Sequence, residues 1–355
     1  MPTFDTIDAD GHVMEPESIW TEYLDASYHH AAPRRVPDNQ GRDRALIAGQ
    51  YTEFIPQDPA WQEGPPLLGG IDGKARIGDM DAEGIRCSLL FPTTGLYFAG
   101  IRDIGAQIAL CRAYNDWLYD FCAPDRSRLL GVAVVPQADM PATVAEVRRC
   151  VEELGFRAVM LRPNPIEGRN LDDPWFDPLW RVLQEVDVPA AIHEGTTQNM
   201  VQSGYDRFTN FTFRHACSHP HEQQIACLSL ICGGVLERNP DLRVAFLESG
   251  CGWIAHWLER LDEHMEHWGH CTAPLPHAPS EYFARQCFIS ADPDERTLPA
   301  MASLVGEQTL LFASDYPHPD AIYPGVVRAL TEREDVPAAL QQRILVENPK
   351  RCFGL

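Results

Sequence analysis

Near-continuous apolar runs recur along the chain and alternate with longer segments of helical period. The runs are Thr6–His12, Cys87–Thr93, Leu129–Pro136, Phe156–Pro163, Val188–Gly195, Leu242–Ser249, Cys287–Asp292 and Thr309–His318. A run that stays apolar on both faces suits a parallel strand covered by helices; a strand with one wet face would alternate. Segments of helical period lie between them at Ile101–Cys122, Ala142–Leu154, Pro174–Val186, His221–Arg238, Gly252–Trp268, Asp294–Leu304 and Ala321–Thr331. Eight strands alternating with helices predict an α/β fold, a closed (β/α)8 TIM barrel rather than a short open sheet. Two stretches break the rhythm: Trp20–Gly73, rich in proline, glycine and charge, and Thr196–Ser218, polar and aromatic. They follow strands 1 and 5, so they are expected as long loop insertions over the catalytic mouth, the first (about 20–73) as a lid. No repeat or linker divides residues 1–355, which are expected to form a single domain.

Composition narrows the partners. A chain of 355 residues with 45% hydrophobic content can bury a large core, and its formal net charge of −22 opposes binding to nucleic acid or an anionic membrane surface. No run of about 18 apolar residues occurs, and Met1–Asp10 lacks the basic and apolar regions of a signal peptide, so a cytoplasmic protein is expected. The eleven cysteines are scattered singly from Cys87 to Cys352, a spacing that predicts reduced, mostly buried thiols. Lysine is confined to Lys74 and Lys350.

Chemistry concentrates at the strand ends. Strand 1 closes on Asp8-Ala-Asp10-Gly-His12, strand 5 on Ile192-His193-Glu194, strand 6 on Leu247-Glu248-Ser249, and strand 8 on Ser314-Asp315-Tyr316-Pro317-His318. Residues two apart on a strand face the same side, so Asp10 and His12 can converge; closing the barrel brings His193 and Asp315 to that point. Imidazole nitrogen mixed with carboxylate oxygen suits a divalent cation of borderline hardness. Each residue alone reads as an ordinary cap or structural histidine; four at three strand ends in the required order read as a metal site.

These segments, with Phe246-Leu-Glu-Ser-Gly-Cys-Gly-Trp253 and Asn348-Pro-Lys-Arg351, resemble the amidohydrolase-2 branch of the amidohydrolase superfamily, the branch of the aminocarboxymuconate-semialdehyde, resorcylate and carboxyvanillate decarboxylases. The resemblance runs nearly end to end. It implies a distorted (β/α)8 barrel and one divalent metal ion held by Asp10, His12, His193 and Asp315, zinc first and manganese as the alternative. Asp10 stands where many members carry histidine or glutamate, which shifts the preference toward harder metals. Strand 4 ends in Arg162 rather than the lysine that forms a bridging carbamate in dinuclear members, so a mononuclear centre is favoured.

A second departure lies at the end of strand 6, where Glu248 occupies the place of the decarboxylases' catalytic histidine. Either Glu248 or His219, in Ser218-His219-Pro220-His221-Glu222, is expected to move the proton, with Asp315 as ligand and proton acceptor. A carboxylated substrate needs a cationic clamp, for which Arg162 is the first candidate and Arg214 the second, unless Arg162 is a structural residue filling the lysine's space. His318 and Glu15 lie near enough to the ligands in sequence to orient them. Aromatic residues of the two insertions (Trp20, Trp61, Tyr205, Phe208, Phe211) are expected to face an aromatic or unsaturated substrate. The resemblance implies non-oxidative decarboxylation or C–C cleavage of a small carboxylic acid, with metal-assisted hydrolysis of an amide, ester or lactone as the rival. A small molecule is the expected partner. The family's frequent homodimers make the closing segment Glu347–Leu355 either a subunit contact or a barrel-packing element.

Overall fold

The computed structural model describes residues 4–53, 67–319 and 321–355. Eight parallel strands form one sheet in chain order: β1 (Thr6–His12), β2 (Ile85–Phe91), β3 (Leu129–Val134), β4 (Ala158–Leu161), β5 (Ala190–His193), β6 (Val244–Leu247), β7 (Cys287–Ala291) and β8 (Leu310–Phe312). Every residue of β3 to β8 is buried, which is why these runs carry no polar face. The sheet is a nearly closed (β/α)8 barrel. The circle is completed by the segment just beyond β8, where the Asp315 amide donates to the Asp10 carbonyl (2.8 Å) and the His12 amide to the Tyr316 carbonyl (2.6 Å).

Asp8 reinforces this seam. Its buried carboxylate accepts from the Ser88 hydroxyl on β2 (2.7 Å) and from the Ser314 amide and hydroxyl (2.9 and 2.7 Å). Arg76, equally buried, donates to the His12 carbonyl (2.7 Å) and to Ser88 (3.1 Å). Gly11 sits against this group, and a Cβ there would collide with Arg76, Asp8 and Ser88. Removing the carboxylate leaves a buried guanidinium without its counter-charge; Asp8→Ala should therefore lower unfolding stability by roughly 3–5 kcal/mol. Denaturant titration measures this, and a loss below about 1 kcal/mol would show the seam to be dispensable.

Helices absent from the expected set include Pro279–Gln286 and Ala338–Gln342, and two further departures lie at the insertions. Gly73–Glu83 is helical inside the segment expected as an irregular insertion, started by the Asp72 carboxylate accepting from the Ala75 amide (2.7 Å) and ended by Gly84 at φ +75°. The rest of that insertion includes a small antiparallel sheet of Arg34–Pro37, Asp43–Ile47 and Gln50–Tyr51. The helix expected to begin at His221 instead spans Phe211–Cys232, with Asn210 as its cap and Pro220 in its interior. Proline lacks the amide an interior position needs, and the helix runs through Pro220 at the loss of one backbone bond. This puts His215 and His219 four residues apart on one helix. The closing helix Asn348–Phe353 packs under the barrel, Asn348 donating to the carbonyls of Glu307 and Leu310 (both 2.7 Å). The cysteines are free thiols, and no described helix is long and apolar enough to cross a membrane.

Candidate metal centre and its acid–base pair

Strands 1, 5, 6 and 8 deliver their terminal polar residues to one place. His12 and His193 are fully buried with their Nε2 atoms 3.2 Å apart, and Asp10 Oδ1 lies 3.6 Å from the first and 3.4 Å from the second. Asp315 Oδ1 is 3.5 Å from His12 Nε2. The expected four residues therefore do come together. Glu248 joins them, its Oε2 3.0 Å from His193 Nε2 and 3.7 Å from His12 Nε2.

The outward side of each ring is fixed. His12 Nδ1 donates to the Pro92 carbonyl (2.8 Å) and His193 Nδ1 to the Glu194 carbonyl (2.7 Å), so a neutral ring turns its Nε2 lone pair inward. Both carboxylate oxygens of Asp10 and Oε2 of Glu248 are buried without a hydrogen bond. Acceptors facing acceptors in a dry site demand a positive charge among them. Burial raises the Asp10 carboxyl. Burial opposes charge on His193, but Asp10 and Glu248 outweigh it and lift its pKa well above the ordinary imidazole value. Burial, then His318 and His193, press His12 well below it. A divalent cation would balance the same carboxylates without a shared proton, and two imidazoles with two or three carboxylates are donors it accepts; the residues present fit such an ion.

Two of these residues hold a strained backbone. Glu248 and Asp315 both lie in the left-handed region, at φ +49° and +52°. Non-glycine residues rarely stay there unless the surroundings hold them.

His219, two residues ahead of the helix expected from His221, lies inside the observed one and reaches the centre through Glu248, its Nε2 3.4 Å from Oε1 and its Nδ1 3.2 Å from the Ser218 hydroxyl. Burial alone would raise the Glu248 carboxyl; His193 and His219 reverse this and hold it well below the usual carboxylate range. His318 Nδ1 lies 2.7 Å from Asp315 Oδ1, and its ring overlaps that of His12 at 4.0 Å between centroids. Glu15 touches none of the cluster; it accepts from the amides of Thr93, Thr94 and Gly95, beside the Thr93 hydroxyl that meets His318.

The arginines do not reach this site. Arg162 is fully buried and donates to the carbonyls of Leu96 and Gly195, to Asn164 and to Glu194, whose carboxylate is also buried. It fills the space at the end of β4 as an internal brace, not as the expected carboxylate clamp. Arg162→Ala should cost roughly 3–5 kcal/mol by stranding Glu194, read as a lowered thermal midpoint. Arg214 pairs with Glu53 (3.1 Å) and lies over the Tyr205 ring. The expected aromatic residues divide: Trp20 is buried edge-on to Phe98, Tyr205 donates to Glu53 and Phe208 packs on Phe213, whereas Phe211 lies against His215 at the cavity wall, and Trp61 lies outside the described residues.

The cluster opens into a cavity of about 310 Å³. Its walls carry His215, His219 and five carboxyl groups (Asp10, Glu248, Asp292, Asp294 and Asp315), and no lysine or arginine among the described residues lines it. Asp292, just beyond β7, was not anticipated as part of the site. The side chain keeps a face open to solvent, yet desolvation by the protein around it, followed by Glu295 and Asp294, pushes its pKa up to about 6. Its position at a strand end was the available signal.

A nearly closed parallel barrel with histidines and carboxylates gathered at its C-terminal mouth is the architecture of a barrel enzyme with a candidate metal centre. The sequence profile of the family described as Amidohydrolase matches residues 7–355. The chain therefore belongs to the amidohydrolase family, and is an enzyme of that superfamily. Among curated relatives, the 2-amino-3-carboxymuconate-6-semialdehyde decarboxylase of Dictyostelium discoideum is 27% identical over 294 residues, 80% of this chain and 77% of that protein. An amidohydrolase from Mycobacterium avium subsp. paratuberculosis K-10 superposes with a TM-score of 0.84 at 24% identity, covering all of both chains. The 5-carboxyvanillate decarboxylase of Novosphingobium aromaticivorans, solved with manganese and 4-hydroxy-3-methoxy-5-nitrobenzoic acid, superposes at 0.74 with 24% identity, over 99% of this chain and 96% of that one.

Proposed function

We propose that this protein is a metal-dependent, non-oxidative decarboxylase of a small aromatic or unsaturated carboxylic acid. The observation that carries the reading is the juxtaposition of Asp10, His12, His193 and Asp315 with the His219–Glu248 pair at one cavity. Decarboxylase relatives on the same fold support it. In this reading Asp10, His12, His193 and Asp315 hold one divalent ion, Glu248 lies against it, and His318 orients Asp315. Zinc and manganese both suit the donors, and the manganese in the carboxyvanillate enzyme makes manganese the first ion to load. A divalent ion held there supplies Lewis-acid polarisation of a substrate oxygen, drawing electron density from the carbon that loses carbon dioxide.

The residues of the chain then handle the proton. The bond between that carbon and the carboxylate breaks, carbon dioxide leaves, and the electron pair stays on the carbon. His219 delivers the proton that fills it and regains one from water. Glu248, whose Oε1 faces the His219 ring, fixes that ring and balances its charge while it carries the proton. The purified protein, loaded with manganese or zinc, should release carbon dioxide from a member of a panel of hydroxylated benzoates and unsaturated acids, with loss on chelation and recovery on reloading.

An acid-walled cavity that no described arginine or lysine lines favours a second reading, hydrolysis of an uncharged amide, ester or lactone, because a free carboxylate meets repulsion except at the metal and the two histidines of the wall. Chelator-sensitive hydrolysis without carbon dioxide release on the same panel would put this reading first.

A further inference from the structure

Outside the four proposed ligands, a second group of metal donors shares Glu248. His215 and His219 occupy positions i and i+4 of the helix Phe211–Cys232, with their rings stacked at 4.1 Å between centroids and 26° between planes. Side chains at this spacing lie on one face of a helix, one turn apart. The same spacing is how paired helix histidines grip zinc when a carboxylate from elsewhere completes the set. Here the carboxylate is Glu248: one donor atom from each of His215, His219 and Glu248 lies within 4.8 Å of the others. The two oxygens of Glu248 face different ways, Oε2 toward His193 (3.0 Å) and Oε1 toward His219 (3.4 Å).

The surroundings favour a cation as well. His215 is half-buried at the cavity wall, where five carboxyl groups and no described lysine or arginine set the charge. A concave wall of one sign concentrates the opposite ion. The donors are two imidazoles and one carboxylate, the set that holds catalytic zinc while leaving a coordination position open.

We propose that His215, His219 and Glu248 form a second, weaker divalent-cation site, and that filling it inhibits the enzyme. The site takes a borderline ion such as zinc and needs no carbamylated lysine, since the Glu248 carboxylate reaches toward both groups. An ion there occupies the Nε2 and Oε1 atoms between which His219 and Glu248 handle the proton, so the first equivalent of metal activates and the excess inhibits. The inhibition rests on the proton-handling reading above; the second site itself does not.

The test is zinc chloride titration of the metal-free full-length protein, counted by elemental analysis after gel filtration across a zinc series, for wild type and His215→Gln. Thermal melts establish that the variant is folded, and cobalt absorption spectra give an independent count. The expected result is two ions on the wild type at high zinc and one on His215→Gln, whose second binding event is weakened at least roughly tenfold. Turnover of wild type should fall from limiting to high zinc, whereas the rate of His215→Gln, whatever its level at limiting zinc, should stay the same across the series. A wild type that saturates at one ion, or a variant that binds the same two, overturns the second site. No bound metal on either protein overturns both sites together. Two ions on wild type and one on the variant, with no decarboxylation by either, uphold the site and reject the proposed reaction.

Discussion

His193→Ala should empty the principal metal site while leaving the barrel folded. The ring sits at the end of β5 with its Nε2 within 3.4 Å of Asp10 Oδ1, His12 Nε2 and Glu248 Oε2, so three of the other donors face this nitrogen. Its Nδ1 is tied only to a main-chain carbonyl next door, so truncation strands little besides Asp10 and Glu248. Elemental analysis should find about one equivalent of manganese or zinc on wild type after loading at limiting metal. The variant should retain well under a tenth of that, since even the loss of a residue that merely supports a ligand weakens binding about 10–100-fold. An unchanged metal content would remove His193, and with it the ligand set, from the proposal.

His219→Gln should leave the principal metal in place and remove turnover. Glutamine keeps a polar side chain of similar reach toward Glu248 but cannot carry the proton. The expected fall in kcat is about 10²–10⁴-fold, the usual worth of positioned proton transfer, with KM moving far less. A loss confined to KM would mean that His219 only binds substrate. Glu248→Gln is the companion: it preserves shape while removing the charge that faces His219, and its kcat should fall less steeply than that of His219→Gln.

Much of this was legible in the sequence, because the strands of a covered parallel barrel announce themselves as apolar runs and their last residues must ring one mouth. Asp10, His12, His193 and Asp315 are found together for that reason. What failed to show was set by contacts far apart in sequence. Nothing in the local pattern tells that Arg162 turns inward to Glu194 and Gly195 instead of outward to a substrate, because the choice depends on how a later loop folds back. Pro220 concealed the true start of the Phe211–Cys232 helix, and with it the pairing of His215 and His219. Glu248 was weighed as an acid or base, but its approach to both histidine groups depends on a backbone turn that the residue type does not favour.

That turn bears on how this enzyme would respond to selection. Glu248 and Asp315 hold left-handed backbones at φ +49° and +52°, each a conformation costing on the order of 1–3 kcal/mol that glycine would adopt freely. A library screened for heat resistance alone would be drawn to glycine or asparagine at these two positions, and would gain stability as it lost the acids that gather at the mouth. Laboratory evolution of this scaffold therefore has to select for turnover in every round, because at residues 248 and 315 durability and chemistry pull the same codon in opposite directions.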